Sequence, residues 1–225
     1  MTDYYAQKLS AERLEHVYEI ASLRLRQYLD AEAEYVTSHL KPGDRLLELG
    51  CGYGRLLPGW VERCATVVGV DSSLESLRYG LEKDLPDAGL HLLAMDAGQL
   101  GFPDETFDVV ACVQNGISAF KVEPAHLIRE ALRVTRPGGI ALFSSYAEEF
   151  WPERLAWFRA QAEEGLLGPL DEQRTGNGVI VCSDGFTATT FTRGDFIHLT
   201  SGLNANVLIE EVDSSSLFCV IRKSS

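Results

Sequence analysis

The chain has 225 residues, enough for one well-buried domain and cramped for two. A net charge of −13, with no run rich in Lys or Arg, argues against a nucleic-acid partner, because an acidic surface repels phosphate backbones. Five scattered cysteines, never in a C-x-x-C pair, fit neither a disulfide framework nor a zinc site, and no apolar signal core or membrane-length run is visible, so a reducing cytoplasm is expected.

Residues 10–40 carry a helical pattern. Ser10 is a candidate cap, with Leu14, Val17 and Ala21 at helical spacing, and a break near Ser22 precedes a second stripe at Leu25, Leu29, Ala33, Val36 and Leu40. Pro42-Gly43 stops it. From Arg45 onward strands and helices alternate. Strands are expected at Leu46–Leu49, Thr66–Val70, Leu90–Ala94, Phe107–Val113 and Ile140–Ser144. Helices are expected at Arg55–Cys64, Leu74–Lys83 and Pro124–Val134, with Pro58 tolerable only in an opening turn. Such alternation implies parallel strands joined by crossover helices.

Beyond Glu153 the pattern changes. A helix over Glu153–Glu164 leads to a hairpin, Val179–Ser183 and Thr187–Thr192, around Asp184-Gly185. A short helix near Asp195–Thr200 precedes two final strands, Asn206–Val212 and Ser216–Arg222, expected to be antiparallel at a sheet edge.

The chemistry-bearing piece is Leu46–Gly54, LLELGCGYG. A strand carrying Glu48 runs into a turn through Gly50, Gly52 and Gly54, where the missing Cβ atoms allow close approach to a ligand. A pyrophosphate fingerprint wants its third glycine three residues after the second, and Arg55 stands there. This disfavours a nicotinamide-dependent NAD(P) oxidoreductase, as do the forty or so helical residues ahead of the first strand.

An acid ahead of three alternate glycines resembles motif I of the class I S-adenosylmethionine (SAM) methyltransferases, and later segments keep the order of that family. VVGVDSS places Asp71 after the second strand; AMDAGQLGFPDETFD places Asp96 and Ala97 after the third. Leu132–Gly139, LRVTRPGG, is similar to the family's turn before strand five. Within the family the chain resembles the UbiE or type 11 small-molecule methyltransferases. The resemblance implies an α/β, Rossmann-like, seven-stranded and mostly parallel sheet with an antiparallel C-terminal edge. It divides a single domain into an N-terminal helical lid (1–43), a SAM-binding core (44–150) and a C-terminal part (151–225) with a substrate-side hairpin.

The same resemblance implies that SAM, with S-adenosyl-L-homocysteine as product, meets Glu48, Gly50, Cys51, Gly52, Gly54, Asp71, Ser72, Asp96, Ala97, Gln114 and Asn115. In it Asp71 takes the ribose hydroxyls, Asp96 and Ala97 face adenine, and Gln114-Asn115 lie near the methionine part and the acceptor. Read alone, Asp71 is a helix cap and Asp96 a turn residue, but neither reading explains their positions after strands. Asn115 stays open between orienting a nucleophile, donating to a carboxylate and merely turning the chain.

Methyl transfer from a sulfonium needs alignment above all, so no fixed catalytic residue is required. Asn115, His126 and Tyr5 are the candidates; no metal site is expected. Tyr4, His16, Tyr18, Phe120, Tyr146, Phe150 and Trp151 are candidates for shaping the acceptor space, and Arg24 or Arg26 for pairing with a carboxylate. A small-molecule acceptor is expected, with no nucleic acid or membrane partner and a monomer or homodimer. A non-catalytic SAM-binding module is the remaining alternative.

Overall fold

The computed structural model describes residues 4–83, 85, 86 and 88–224. Its centre is strand β1 (Arg45–Leu49), in which Leu46, Leu47 and Leu49 are fully buried, Leu46 on one face and the other two on the opposite one. A strand buried on both sides needs helices above and below it. β1 pairs in parallel with β2 (Thr66–Asp71) on one side and β4 (Phe107–Cys112) on the other. β3 (Leu90–Ala94) extends the sheet beyond β2, and β5 (Thr135–Tyr146) extends it beyond β4.

The last two strands, β8 (Ala205–Val212) and β9 (Ser216–Lys223), pair antiparallel with each other. β9 also lies antiparallel to β5, giving the order β3-β2-β1-β4-β5-β9-β8. Only β9 therefore runs against the rest; the outermost strand β8 returns to the common direction. Strand order reverses between β1 and β4, and open α/β sheets take ligands at that switch point, beyond the carboxyl ends.

The helices of the core are α3 (Leu23–Ser38), α4 (Leu57–Val61), α5 (Leu74–Leu81), α6 (Pro124–Val134) and α8 (Arg193–Thr200). One sheet face buries Leu47, Val68, Val110 and Phe143 under α6 and Phe196 of α8. The opposite face buries Leu46, Val67, Val109 and Leu142 under Val36 of α3, Trp60 of α4 and Leu77 of α5. Burial of this apolar area, at about 25 cal/mol per Å2, is what holds the layers together.

Several expected elements change at their ends. The helix expected over Arg55–Cys64 shrinks to α4, because the turn closes on itself first: the Gly54 N–H donates to the Cys51 carbonyl, and Gly54 has φ of +83°. Pro58 then falls in the opening turn, where no N–H is missed. β5 starts at Thr135 rather than Ile140, and the Pro137–Gly139 turn is absorbed as an irregularity in the ladder with β4. Ser10 precedes α2 (Ala11–Glu19), but its hydroxyl bonds Glu75 across the chain and does not cap the helix. Ser22 caps α3, accepting from the Leu25 N–H at 3.2 Å.

A second apolar body sits over the carboxyl ends of the strands. It joins α1 (Tyr4–Lys8), α2 and the start of α3 to α7 (Trp151–Glu163) and the hairpin β6 (Val179–Val181)–β7 (Thr187–Thr189). Leu9, Val17, Leu25 and Tyr28 pack there with Trp157, Phe158, Ile180 and Phe186. Polar bonds tie the two ends of the chain together: Trp157 Nε1 donates to the Val17 carbonyl at 3.0 Å, and Arg13 reaches the carbonyls of Gly165 and Leu166. Lys83 holds Glu15 at 2.8 Å, anchoring α2 to the end of α5.

Candidate functional site

The glycine turn is shaped by backbone bonds to β2. The N–H groups of Gly50 and Cys51 both donate to the Val70 carbonyl, and the Gly52 N–H donates to Asp71 Oδ2 at 2.8 Å. Asp71 Oδ1 accepts from the Ser73 N–H at 2.7 Å. These backbone bonds orient the carboxylate, which lines the cavity above the strand tips. Gly50 and Gly52 have φ of +76° and +57°, the left-handed region that penalises a Cβ.

Above these tips lies a cavity of about 390 Å3. Its floor is set by Gly50 and Gly52 after β1, Asp71, Ser72 and Ser73 after β2, and Met95, Asp96 and Ala97 after β3. Val113, Gln114, Asn115 and Gly116 follow β4, and Ala119, Phe120, Lys121 and Val122 complete that side. The remaining lining comes from Tyr5, Leu9, Tyr18, Ser118, Tyr146, Phe158, Thr187 and Ala188, with Leu14 beside the turn at Gly52.

Gln114 and Asn115 are consecutive non-glycine residues with positive φ, +55° and +57°. Such strain persists only where surroundings enforce it. Here the buried Glu32 of α3 accepts the Gln114 N–H at 2.6 Å and the Ser216 hydroxyl at 2.7 Å. Tyr18 donates to Gln114 Oε1 at 3.1 Å, while the buried Gln114 Nε2 has no partner. Asn115 is clamped: Nδ2 donates to the Thr189 carbonyl, and Oδ1 accepts the Ser145 hydroxyl at 2.7 Å. It thus joins β4, β5 and the hairpin.

Eight of the eleven residues expected at the cofactor come to the cavity: Gly50, Gly52, Asp71, Ser72, Asp96, Ala97, Gln114 and Asn115. Glu48, Cys51 and Gly54 do not line it. Glu48 is buried under the turn, and its carboxyl is pushed up to about 8 by burial, opposed by the nearby Arg55 charge. Cys51 turns inward against Gly69, and Gly54 lies beside Leu57 and Leu92. Burial likewise pushes Glu32 up to about 7.

Of the catalytic candidates, Tyr5 and Asn115 reach the cavity and His126 does not. His126 lies in the first turn of α6, its Nε2 2.8 Å from the Gly98 carbonyl. Tyr18, Phe120 and Tyr146 line the space as expected from the sequence, while Tyr4 bonds Asp184, His16 stands outside beside Glu19 and Glu164, and Phe150 and Trp151 pack behind. Arg24 pairs with Asp213 at 2.6 Å, and Arg26 holds the carbonyls of Ala21 and Glu19, so neither arginine enters. Leu9, Leu14, Phe158, Thr187 and Ala188 are lining residues that no motif marked. Among the described residues no His/Cys/Asp/Glu cluster could hold a metal ion, and no helix is long and apolar enough to cross a membrane.

Residues 47–143 match a family model described as a methyltransferase domain. That stretch carries a methyltransferase domain. A phosphatidylethanolamine N-methyltransferase of Cereibacter sphaeroides is 38% identical to this chain over 115 residues, 49% of this chain and 55% of that protein. A ubiquinone biosynthesis O-methyltransferase of Paracidovorax citrulli is 31% identical over 129 residues, 56% of this chain and 53% of that protein. The chain spans about half the length of the curated relatives it matches. A solved structure of a SAM-dependent methyltransferase from Aquifex aeolicus superimposes with a TM-score of 0.61 at 16% identity, covering 92% of this chain and 96% of that one.

A solved structure of the N-methyltransferase NodS from Bradyrhizobium japonicum, in complex with S-adenosyl-L-homocysteine, superimposes with a TM-score of 0.63 at 12% identity, covering 100% of both chains. The cavity fits such a ligand. Two carboxylates stand at the tips of adjacent strands, and an apolar slot of Met95, Phe120 and Val122 suits a flat base. A Cβ built on Gly50 would come within 2.9 Å of Phe120, and one on Gly52 within 2.8 Å of Leu14, so the turn leaves its space by lacking side chains.

Proposed function

We propose that this chain transfers a methyl group from SAM to a small-molecule acceptor. The observation that carries this reading is continuity: one cavity is lined by Asp71 and Asp96, by the glycine turn and by the rings of Tyr5, Tyr18, Tyr146 and Phe158. In this reading Asp71 receives the ribose hydroxyls, Asp96 and Ala97 face the adenine, and Gly50, Gly52 and Gln114 border the methionine part. The Gln114 Nε2 donor, buried without a partner, suits the ligand's carboxylate.

When bound, SAM supplies an electrophilic methyl group on a sulfonium, so the protein has no leaving group to make. What the chain contributes is placement. Glu32 and Tyr18 fix the strained tip of β4, and Asn115 locks that tip to the hairpin. The roof of α1, α2, α7 and the hairpin excludes water from the transfer path. Orientation of this kind supplies up to about 7–11 kcal/mol in favourable systems. We assign residues 1–43 as a lid, 44–150 as the cofactor core and 151–225 as the part that completes the acceptor side, all within one domain.

The test has two stages. Calorimetry with S-adenosyl-L-homocysteine should show binding to the wild type and not to Asp71→Ala. Labelled SAM with a metabolite extract should then yield a labelled small product. Binding without any product over an exhaustive extract favours the non-catalytic module instead.

A further inference from the structure

Resting on the proposed reading of the cavity as a SAM seat, we infer that Glu32 of α3 is a positioning residue for the cofactor. Its ionised carboxylate holds the tip of β4 in the shape that binds, so cofactor affinity follows its protonation state. Glu32 is fully buried, and its two oxygens hold different elements. Oε2 accepts the Gln114 N–H at 2.6 Å, and Oε1 accepts the hydroxyl of Ser216, the first residue of β9, at 2.7 Å. The carboxylate thus bridges a helix, the tip of a central strand and the strand beyond β5, without itself lining the cavity.

The tip it holds is the strained part of the site. Gln114 and Asn115 both lie in the left-handed region, at φ of +55° and +57°, and both line the cavity. Such a pair persists only under an enforcing contact. Asn115 has its own clamps on Ser145 and the Thr189 carbonyl, whereas the backbone of Gln114 is held from Glu32. A hydrogen bond to an ionised acceptor is roughly twice as strong as one to a neutral acceptor. Protonation of Glu32 therefore loosens Gln114, including the side chain whose Nε2 is buried without a partner.

The Glu32 carboxyl is pulled both ways. Burial pushes it up to about 7, while the Ser216 and Ser144 hydroxyls, the Gln114 N–H and the charge of Arg55 draw it down. The other titratable groups facing it are Tyr28 on its own helix, Tyr146 on β5 and Cys112 on β4. Burial pushes all three upward, so they stay neutral where Glu32 titrates. A ligand that selects the held tip favours the ionised form, and by linkage its binding expels the proton. Ionised Glu32 is thus the less stable fold and the better cofactor site. As pH rises, stability and affinity move in opposite directions, which a merely structural acid would not produce.

The test is calorimetry of the full chain with S-adenosyl-L-homocysteine from about pH 5.5 to about pH 8. Wild-type affinity should rise at least about threefold over that range. Titrations near pH 7 in buffers of different ionisation heat should show net proton release. Glu32→Gln keeps an oxygen for the Gln114 N–H but cannot ionise. It should bind as weakly as the wild type does at low pH, and its rise should be less than about half the wild-type one. Glu48, which faces Arg55, titrates in both proteins, so the difference between them reports Glu32. A wild-type affinity that is flat or falls with pH, or a Glu32→Gln protein with the wild-type profile, overturns the inference. The wild-type series and its proton count decide even if Glu32→Gln does not fold. Absence of S-adenosyl-L-homocysteine binding at every pH would instead overturn the SAM-seat reading beneath it.

Discussion

The Gly52 N–H donates to Asp71 Oδ2 at 2.8 Å, so the turn after β1 and the acid after β2 form one unit. The same carboxylate accepts the Ser73 N–H at the start of α5. Loss of Asp71 therefore removes the carboxylate proposed to take the ribose and releases two backbone donors. Hydrogen bonds to a charged group are worth about 1.5–3 kcal/mol each. Asp71→Ala should weaken S-adenosyl-L-homocysteine binding by at least about tenfold in calorimetry. Asp71→Asn, which keeps one acceptor, should fall between the two.

Gly52→Ala tests the turn itself. The left-handed backbone costs a Cβ about 1–2 kcal/mol, and the new methyl group also meets Leu14. The midpoint of thermal unfolding should drop by about 2–8 °C for a chain of this size. Ligand affinity should fall as well, because the methyl enters the cavity. A variant with unchanged melting and unchanged affinity would contradict the geometry of the turn.

Two buried acids give a pH signature. Burial pushes Glu32 to about 7 and Glu48 to about 8. Between an unfolded value near 4.5 and those values the native state holds protons that the unfolded chain has released, so stability falls as pH rises through that window. Glu130, held low by the hydrogen bond from Arg133, acts in the other direction at lower pH. Urea denaturation should show maximal stability near pH 5 and a decline towards pH 8. Glu48→Gln should flatten that decline, by roughly 5 kcal/mol at most.

Arg24 supplies a contrast. It pairs with Asp213, away from the cavity, and both side chains are partly exposed. Arg24→Ala should leave S-adenosyl-L-homocysteine affinity unchanged within about twofold and cost no more than about 1 kcal/mol of stability. A large loss of affinity would place the lid differently.

The floor of the cavity was legible because its residues are marked by position. Glycines at alternate places after an apolar run, and acids directly after the next two runs, are what a nucleoside cradle at strand tips requires. The roof was not legible. Leu14, Phe158 and Ala188 are apolar residues in amphipathic or mixed segments, identical in kind to core residues, and only tertiary packing brings them to one space. His126 shows the converse: a good helix position says nothing of where the ring turns, and here it turns to the Gly98 carbonyl. Arg154 of α7 gave no signal at all, since its complete burial exists only in three dimensions.

Most of the floor lies within residues 47–143, whereas Tyr5, Leu9, Leu14, Tyr18, Tyr146, Phe158, Thr187 and Ala188 fall outside that stretch. On the proposed function, the part that seats the donor and the part that selects the recipient are thus encoded in separate intervals of the chain. Mutation of the flanks would then retune which compound is modified, with the middle left alone. Grafting the two flanks together, tied as they are by Trp157 and Arg13, onto another protein's middle should carry the recipient's chemistry with them.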